Sequence, residues 1–342
     1  MGALLPLRVA VVGAGAFGRN HLRVYGELQA AGQAIELAAV VDQDLSVAAA
    51  NSERYGVPHF SSAEALLAAG VAIDAASVCV PTVHHAAAAA PLLIAGVDLL
   101  IEKPLAASLE DADRILALAR EHRRLVQVGH LERFNPAVSA ARAELRRPMF
   151  FEAHRLSIFT PRSLDVDVVL DLMIHDLDIV LSLVDSPVRE VRAVGLPVLS
   201  HKVDIANVRV EFENGCVANF TASRVSTERV RKLRFFQPHQ YLSLDFARQD
   251  LLMIDVTAAA GMDPQQLAAL AQAAGDHPSA GLSLRKVPVV EGEPLRLEIT
   301  AFLDAVRART RPVVSGEDGR AALALALEIN AAIASHVART GL

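Results

Sequence analysis

Residues 170–184 read LDLMIHDLDIVLSLV, an apolar helical stretch interrupted by Asp171, His175, Asp176 and Asp178. Asp171, His175 and Asp178 fall at i, i+4 and i+7, which sets them along one stripe of a helix. An imidazole with a carboxylate one turn away is a base with an orienting acid. The ring takes a proton from a hydroxyl, and the carboxylate fixes the ring and steadies its charged form. Such an i, i+4 pair can also chelate a metal, but no further His, Cys or Glu cluster at comparable spacing completes a site, so no metal is expected. A core histidine satisfied by its neighbours is the third reading, and this stretch alone leaves it open. Asp176 points elsewhere on the helix and is expected to make a structural contact.

A second group lies near the start of the chain. GAGAFG, Gly13 to Gly18, fits G-x-G-x-x-G, follows an apolar run and opens a helical pattern. That context is the one a dinucleotide site demands. Gly13 allows the tight turn, Gly15 lets the backbone approach a pyrophosphate, and Gly18 permits close packing, with Ala16 and Phe17 in the same loop. The helix N-terminus adds amide donors and partial positive charge. Asp42 ends the next apolar run, suited to accept from both ribose hydroxyls and to repel a 2′-phosphate. Gln43 and Asp44 follow it rather than an arginine, so NAD is favoured over NADP; Asp44 is the better helix cap. In IEKPL, Ile101 to Leu105, Glu102 and Lys103 stand at the end of a strand, where Lys103 can hydrogen-bond a substrate oxygen or carry a proton.

The elements that must position these residues change character along the chain. Up to about residue 130, wholly apolar runs such as LRVAVVG, IELAAVVD, AASVCVP and DLLIEKP alternate with helical patterns. That alternation predicts a parallel sheet covered on both faces. Beyond about Arg147 the runs alternate in polarity, as in ANVRVEFENGCVANFTASRV with an Asn-Gly hairpin turn, so an antiparallel sheet with helices on one face is expected. The fold class is therefore α/β: a Rossmann domain over 1–130, then an α+β domain on a mostly antiparallel open sheet over 131–342. The last two amphipathic helices could return to the first domain, and 258–280 is the best candidate for a mobile loop.

Composition narrows the classes. The 342 residues are 52% hydrophobic and 21% charged, which fits a globular chain long enough for two domains. A net charge of −6 argues against general nucleic-acid or anionic-membrane binding. Cys79 and Cys216 lie far apart inside apolar runs, as reduced thiols of a cytoplasmic protein. The N-terminus lacks a positive leader, and Pro81, His84, His85, Pro91 and Asp98 break the Ala-rich stretch 75–101, so no membrane span is expected.

GAGAFG, CVPTVHH, IEKPLAAS, GHLERFNP, DLMIHDLDI and SGEDGRAALALALEI together resemble the Gfo/Idh/MocA oxidoreductases, in that family's order and over nearly the whole chain. The resemblance implies a Rossmann domain, an α/β domain whose open sheet forms a homo-oligomer interface, and hydride transfer between a nicotinamide and a carbinol carbon. It makes Lys103 the lysine of the E-K-P motif and Asp171 and His175 the pair of the catalytic helix. Pro81, Thr82 and His85 stand in the segment near the cofactor, where Thr82 replaces the Asn that many relatives carry.

GHLERFNP with FTPRSLDVDVVLDLMIHDLDIVLSLV further resembles the nucleotide-sugar 3-dehydrogenases of the family, implying a UDP-sugar substrate and a PLP-dependent aminotransferase as functional partner. A diphosphate needs cations, and Arg155 and Arg162 are candidates, with Arg224, Arg229, Arg231, Lys232 and Arg234 also on this half. Arg133 and Asn135, just past the sixth strand, are expected to line the substrate cleft.

Overall fold

The computed structural model describes residues 5–159, 166–256, 261–263, 265–266, 268–269 and 283–340. Arg162 and most of 258–280 lie outside the described residues. In chain order the first elements are β1 (Leu7–Val12), α1 (Ala16–Ala30), β2 (Ile35–Val41), α2 (Leu45–Tyr55), β3 (His59–Phe60), α3 (Ala63–Ala68) and β4 (Ala75–Val78). Next come α4 (His85–Ile94), β5 (Asp98–Glu102), α5 (Leu109–Glu121), β6 (Val126–Gly129) and α6 (Pro136–Glu144). There follow β7 (Phe150–Ile158), α7 (Ile174–Leu183), β8 (Val188–Leu196), β9 (Ile205–Phe212), β10 (Val217–Ser226), β11 (Val230–Gln237), β12 (Gln240–Asp245), β13 (Asp250–Asp255) and β14 (Ser283–Val287). Helices α8 (Pro294–Ala308) and α9 (Gly316–Thr340) complete the described set.

Two compact units result: Met1–Phe134 with Glu293–Ala324, and Asn135–Gly292 with Leu325–Leu342. The first unit's opening segment ends close to residue 130, and α8 belongs to that unit. The reason is apolar. Ile299, Phe302, Leu303 and Val306 of α8 join Leu22, Tyr25 and Leu28 of α1 and Val9 and Val11 of β1 in one buried cluster. Each such side chain contributes about 1.5–3 kcal/mol by leaving water.

The first unit holds a parallel six-stranded sheet in the order β3-β2-β1-β4-β5-β6. The chain leaves β1 toward β2 and β3, then crosses back to β4 on the other side of β1. Ligands bind outside the carboxyl ends of strands at such a reversal, so the residues following β1 and β4 occupy the privileged edge.

The second unit holds an eight-stranded sheet in the order β14-β13-β12-β11-β7-β10-β9-β8. Its pairs are antiparallel except β7 with β10, which run parallel because α7, β8 and β9 intervene between them. Alternation is clean: Ala206, Val208, Val210 and Phe212 of β9 are buried, while Asn207 and Arg209 are exposed. The outer face carries charge, including Arg234 bonded to Glu152 at 2.9 Å.

Helix α9 is long and apolar enough to cross a membrane by length and composition. Parts of it pack against the fold. A side chain at Gly319 would meet Val128 Cγ2 at 2.5 Å, and Asn330 donates to Asp167 Oδ2 at 3.1 Å.

Candidate active site

The turn after β1 shows why three glycines are needed. Gly13 has φ +91, and a Cβ there would stand 2.7 Å from the backbone of Cys79 and Val80, so the turn is pressed against the exit of β4. A Cβ on Gly18 would lie 1.7 Å from the Gly13 carbonyl oxygen; the close approach is helix to turn rather than helix to strand. Gly15 is the opposite case, with nothing within 4 Å of its would-be Cβ. It N-caps α1 with no side-chain cap bond, leaving the first amides of the helix turned to open space. An uncapped, side-chain-free helix N-terminus fits a diphosphate.

That space is a cavity of about 520 Å³, lined by Gly13, Gly15, Ala16 and Phe17 of the turn, Asp42 after β2 and Pro81 after β4. Asp42 has a second task beyond any ribose. Its Oδ2 accepts from the Ala14 amide at 2.7 Å and its Oδ1 from the Asp44 amide at 2.9 Å, so one carboxylate ties the glycine turn to the end of β2. Asp44 caps α2, accepting from the Ser46 amide at 2.9 Å. The volume, the open glycine and the acid opposite fit a dinucleotide.

Of the histidine pair after Pro81, His84 lines this cavity and His85 does not. His85 is 1% exposed, with Nε2 at 2.9 Å from the Val80 carbonyl oxygen and Nδ1 at 3.0 Å from that of Pro104. Burial lowers its basicity. It supports the E-K-P turn from within. Thr82 opens a short 3₁₀ turn, Thr82–His84, and is not among the lining residues.

Glu102 ends β5, its carboxylate packed over Gly129, where a Cβ would come within 3.0 Å of it. His21 of α1 sits below, Nε2 at 2.8 Å from Glu102 Oε1 and Nδ1 at 3.0 Å from Ser77 Oγ. Lys103 follows, half-buried, in a cis peptide with Pro104. His21, Cys79 and Glu102 bring potential ligand atoms within 4.8 Å of one another, a cluster that spacing alone did not reveal. Hydrogen bonds to Glu102 and Ser77 already account for both nitrogens of His21.

In the second unit the proposed base stands beside a break in helical pitch. Val169–Met173 is a turn of π-helix, followed by α7. Asp167 caps it, Oδ1 accepting from Val169 and Leu170 amides at 2.9 and 3.0 Å. The simple i, i+4, i+7 stripe is therefore modified: Asp171 and His175 are half-buried, whereas Asp178 is 2% exposed and lies in the core. Single π turns recur at functional sites.

Two expected substrate contacts, Arg155 and Asn135, have partners within the protein. Arg155 and Asp176 are both 4% exposed at the side chain, and the guanidinium donates to Asp176 through Nε and Nη2, each at 2.8 Å. Its other side faces the Phe246 ring at 5.1 Å. That fork holds α7. Asn135 is 2% exposed; it caps α6 through Ala137 at 3.1 Å and donates to the Phe246 carbonyl at 3.0 Å. Arg133 is half-buried in a 3₁₀ turn, Leu131–Phe134.

Comparison with known proteins completes the picture. Residues 7–130 match the model of the oxidoreductase family with an NAD-binding Rossmann fold, and 123–237 match the GFO/IDH/MocA C-terminal domain. UDP-N-acetylglucosamine 3-dehydrogenase of Acidithiobacillus ferrooxidans is 35% identical over 338 residues, spanning 98% of this chain and 100% of that protein. The chain belongs to the Gfo/Idh/MocA oxidoreductase family. A solved structure of that dehydrogenase superposes with TM-score 0.84 at 34% identity, covering 96% of this chain and 98% of that one. An inositol 2-dehydrogenase of Acidothermus cellulolyticus is 31% identical over 55% of this chain and 56% of its own length. An Agrobacterium radiobacter oxidoreductase solved with NAD⁺, L-tartaric acid and magnesium shares the fold, at TM-score 0.78 and 17% identity over 96% of each chain. Membership gives the cradle its cofactor: the family binds NAD, and the chain is an oxidoreductase.

Proposed function

We propose that the protein oxidises the 3-hydroxyl of UDP-N-acetylglucosamine to the 3-ketone with NAD. The observation that carries this reading is 35% identity over 98% of the chain to a dehydrogenase named for that reaction, with Lys103, Asp171 and His175 all present. NAD supplies the hydride acceptor when bound in the cradle. In this reading His175 takes the hydroxyl proton and passes it to solvent, Asp171 orients the ring, and Lys103 hydrogen-bonds the same oxygen. Binding energy from the distant UDP group fixes which carbinol reacts, so a substrate without UDP loses kcat as well as affinity. Arg162 remains a candidate diphosphate cation, with Arg229, Arg231 and Lys232, and Arg133 a candidate lining residue of the substrate cleft.

Oxidation of a secondary alcohol by NAD is uphill near neutral pH. The reading therefore includes a consuming step, transamination of the ketone by a PLP-dependent aminotransferase, which fits a cytoplasmic enzyme of lipid A amino-sugar synthesis. In the same reading the eight-stranded sheet forms the homo-oligomer contact. The test is incubation with NAD and UDP-N-acetylglucosamine, with and without an aminotransferase and amino donor. NADH and a 3-amino product by mass spectrometry are expected. Turnover confined to the glucuronic acid derivative moves the assignment to a uronate; turnover of free inositol or glucose instead refutes the nucleotide-sugar reading.

A further inference from the structure

Beneath the E-K-P turn runs a buried polar chain that the proposed chemistry does not use. Tyr25 and Ser77 are wholly buried and His21 is 1% exposed; the Glu102 side chain is 13% exposed. Tyr25 Oη lies 2.9 Å from Ser77 Oγ, Ser77 Oγ lies 3.0 Å from His21 Nδ1, and His21 Nε2 lies 2.8 Å from Glu102 Oε1. One arrangement of protons uses each of these donors once. Tyr25 donates to Ser77, Ser77 donates to Nδ1, and the Nε2–H donates to the carboxylate, a tautomer assigned from its partners. Buried polar chains that are fully satisfied fix one geometry, because any unmade bond in them is costly.

The chain's two ends give it meaning. His21 stands three residues after Gly18 on α1, the helix whose N-terminal turn forms the diphosphate cradle. Glu102 immediately precedes Lys103. On the far side of the lysine, His85 faces the Pro104 and Leu105 carbonyl oxygens at 3.0 and 3.3 Å. The turn is thus held on both sides, and on one side by the cofactor helix itself. We propose that His21 is a positioning residue for Lys103: through Glu102 it fixes the E-K-P lysine relative to the dinucleotide cradle. The inference rests on Lys103 being the substrate-facing lysine of the proposed reaction.

The test compares His21→Leu, which removes the donor to Glu102, with His21→Gln, whose amide nitrogen can restore it. In the NAD-free protein, acetylation of Lys103 by an amine-reactive ester is followed by peptide mass spectrometry, with Lys202, Lys232 and Lys286 as internal references. His21→Leu should change the Lys103 rate about fivefold or more, and His21→Gln should stay within about twofold of the parent. With NAD and substrate, His21→Leu should lose about tenfold or more in kcat while KM for NAD moves less than about threefold, and His21→Gln should recover most of the loss. Ser77→Ala, a small change that frees the ring at Nδ1, should shift the labelling rate by about twofold or more and covers the case in which His21→Leu does not fold. Equal behaviour of the Leu and Gln variants, or unchanged labelling in Ser77→Ala, overturns the proposal. So does a stoichiometric metal retained by the parent and lost in Cys79→Ser together with the labelling pattern, since the cluster would then be a metal site. Labelling needs no substrate: the expected pattern in a protein inert toward UDP-N-acetylglucosamine would refute the substrate assignment and leave the positioning role standing.

Discussion

Replacing Asp42 by asparagine isolates the charge that selects NAD. The carboxylate lines the cavity beside the glycine turn, where a ribose 2′-hydroxyl can donate to it and a 2′-phosphate meets it as a like charge. Taking the phosphate at about 5 Å and an effective dielectric of about 40–80 in an open cavity, each unit of charge costs about 0.8–1.7 kcal/mol. A phosphate carrying about 1.5–2 charges is then disfavoured by about 1–3 kcal/mol. The hydroxyl bond that only NAD can make adds about 1.5 kcal/mol or more. NAD should bind about 10²-fold tighter than NADP, and not less than about tenfold. Asp42→Asn keeps an oxygen for one backbone amide and removes the charge, so the ratio should shrink about tenfold while the fold survives. Asp42→Ala should shrink it similarly but also lower stability by about 1–2 kcal/mol, because Ala14 and Asp44 lose their acceptor. Titration calorimetry with both cofactors and urea unfolding of all three proteins separate these effects. Equal affinities in the parent, or an unchanged ratio in Asp42→Asn, would show that Asp42 serves only the turn.

Further outcomes follow from the same geometry. His175→Ala and Lys103→Ala should each lower kcat by about 10² or more with NAD binding retained, and Asp171→Asn should cost less than His175→Ala; near-normal turnover of His175→Ala would make that helix structural only. Arg155→Met strands a buried carboxylate and should cost about 3–5 kcal/mol by urea unfolding, with Arg155→Met/Asp176→Leu recovering most of it; equal losses in the two would refute the pairing. Burial raises the Asp204 carboxyl, but bonds from Ser200, Leu199 and Val198 outweigh this and hold it down to about 2. Its contribution, about 2 kcal/mol, is present above the unfolded value and lost as pH falls from about 4 toward 2; Asp204→Asn should flatten that limb of the stability curve, and a parallel limb in the variant would refute it.

The first unit was legible because its signals are local. Apolar runs of strand length separated by helices, and a glycine motif between β1 and α1, state both fold and cradle within short windows. Asp42 was found by its place at the end of β2. Its second bond, to Ala14, spans 28 positions and leaves no mark in either window. His21 and His84 were missed for related reasons. A histidine in a helix after the last glycine looks like any core residue until Ser77 and Glu102 are brought to it. His84 and His85 are adjacent, so only the turn of the 3₁₀ segment decides which one faces the cavity. The return of the last helices was suggested by their amphipathic pattern, but what seats α8 is contact between distant parts of the chain, as with Arg296 and Glu27, 269 positions apart.

The arginines of the second unit show where reading by residue type fails. A guanidinium suits phosphate and carboxylate equally, so Arg155, Arg224 and Arg234 all counted as diphosphate candidates. In the fold each has a partner within the protein: Arg155 meets Asp176, Arg224 the Val166 carbonyl beside Asp204, and Arg234 Glu152. Burial separates the cases physically. A guanidinium 4% exposed must find its anion within the protein, since a buried charge without a partner costs several kcal/mol, and a ligand that comes and goes cannot meet that cost in the free enzyme. The cations that bind substrate are therefore to be sought among those water can solvate when the site is empty. Arg229 and Arg231 satisfy that condition by exposure. Substituting each by methionine should raise the KM for the UDP-sugar at the residue that meets the diphosphate and leave the KM for NAD unchanged. A KM for the UDP-sugar that stays constant in both variants would return the assignment to Arg162.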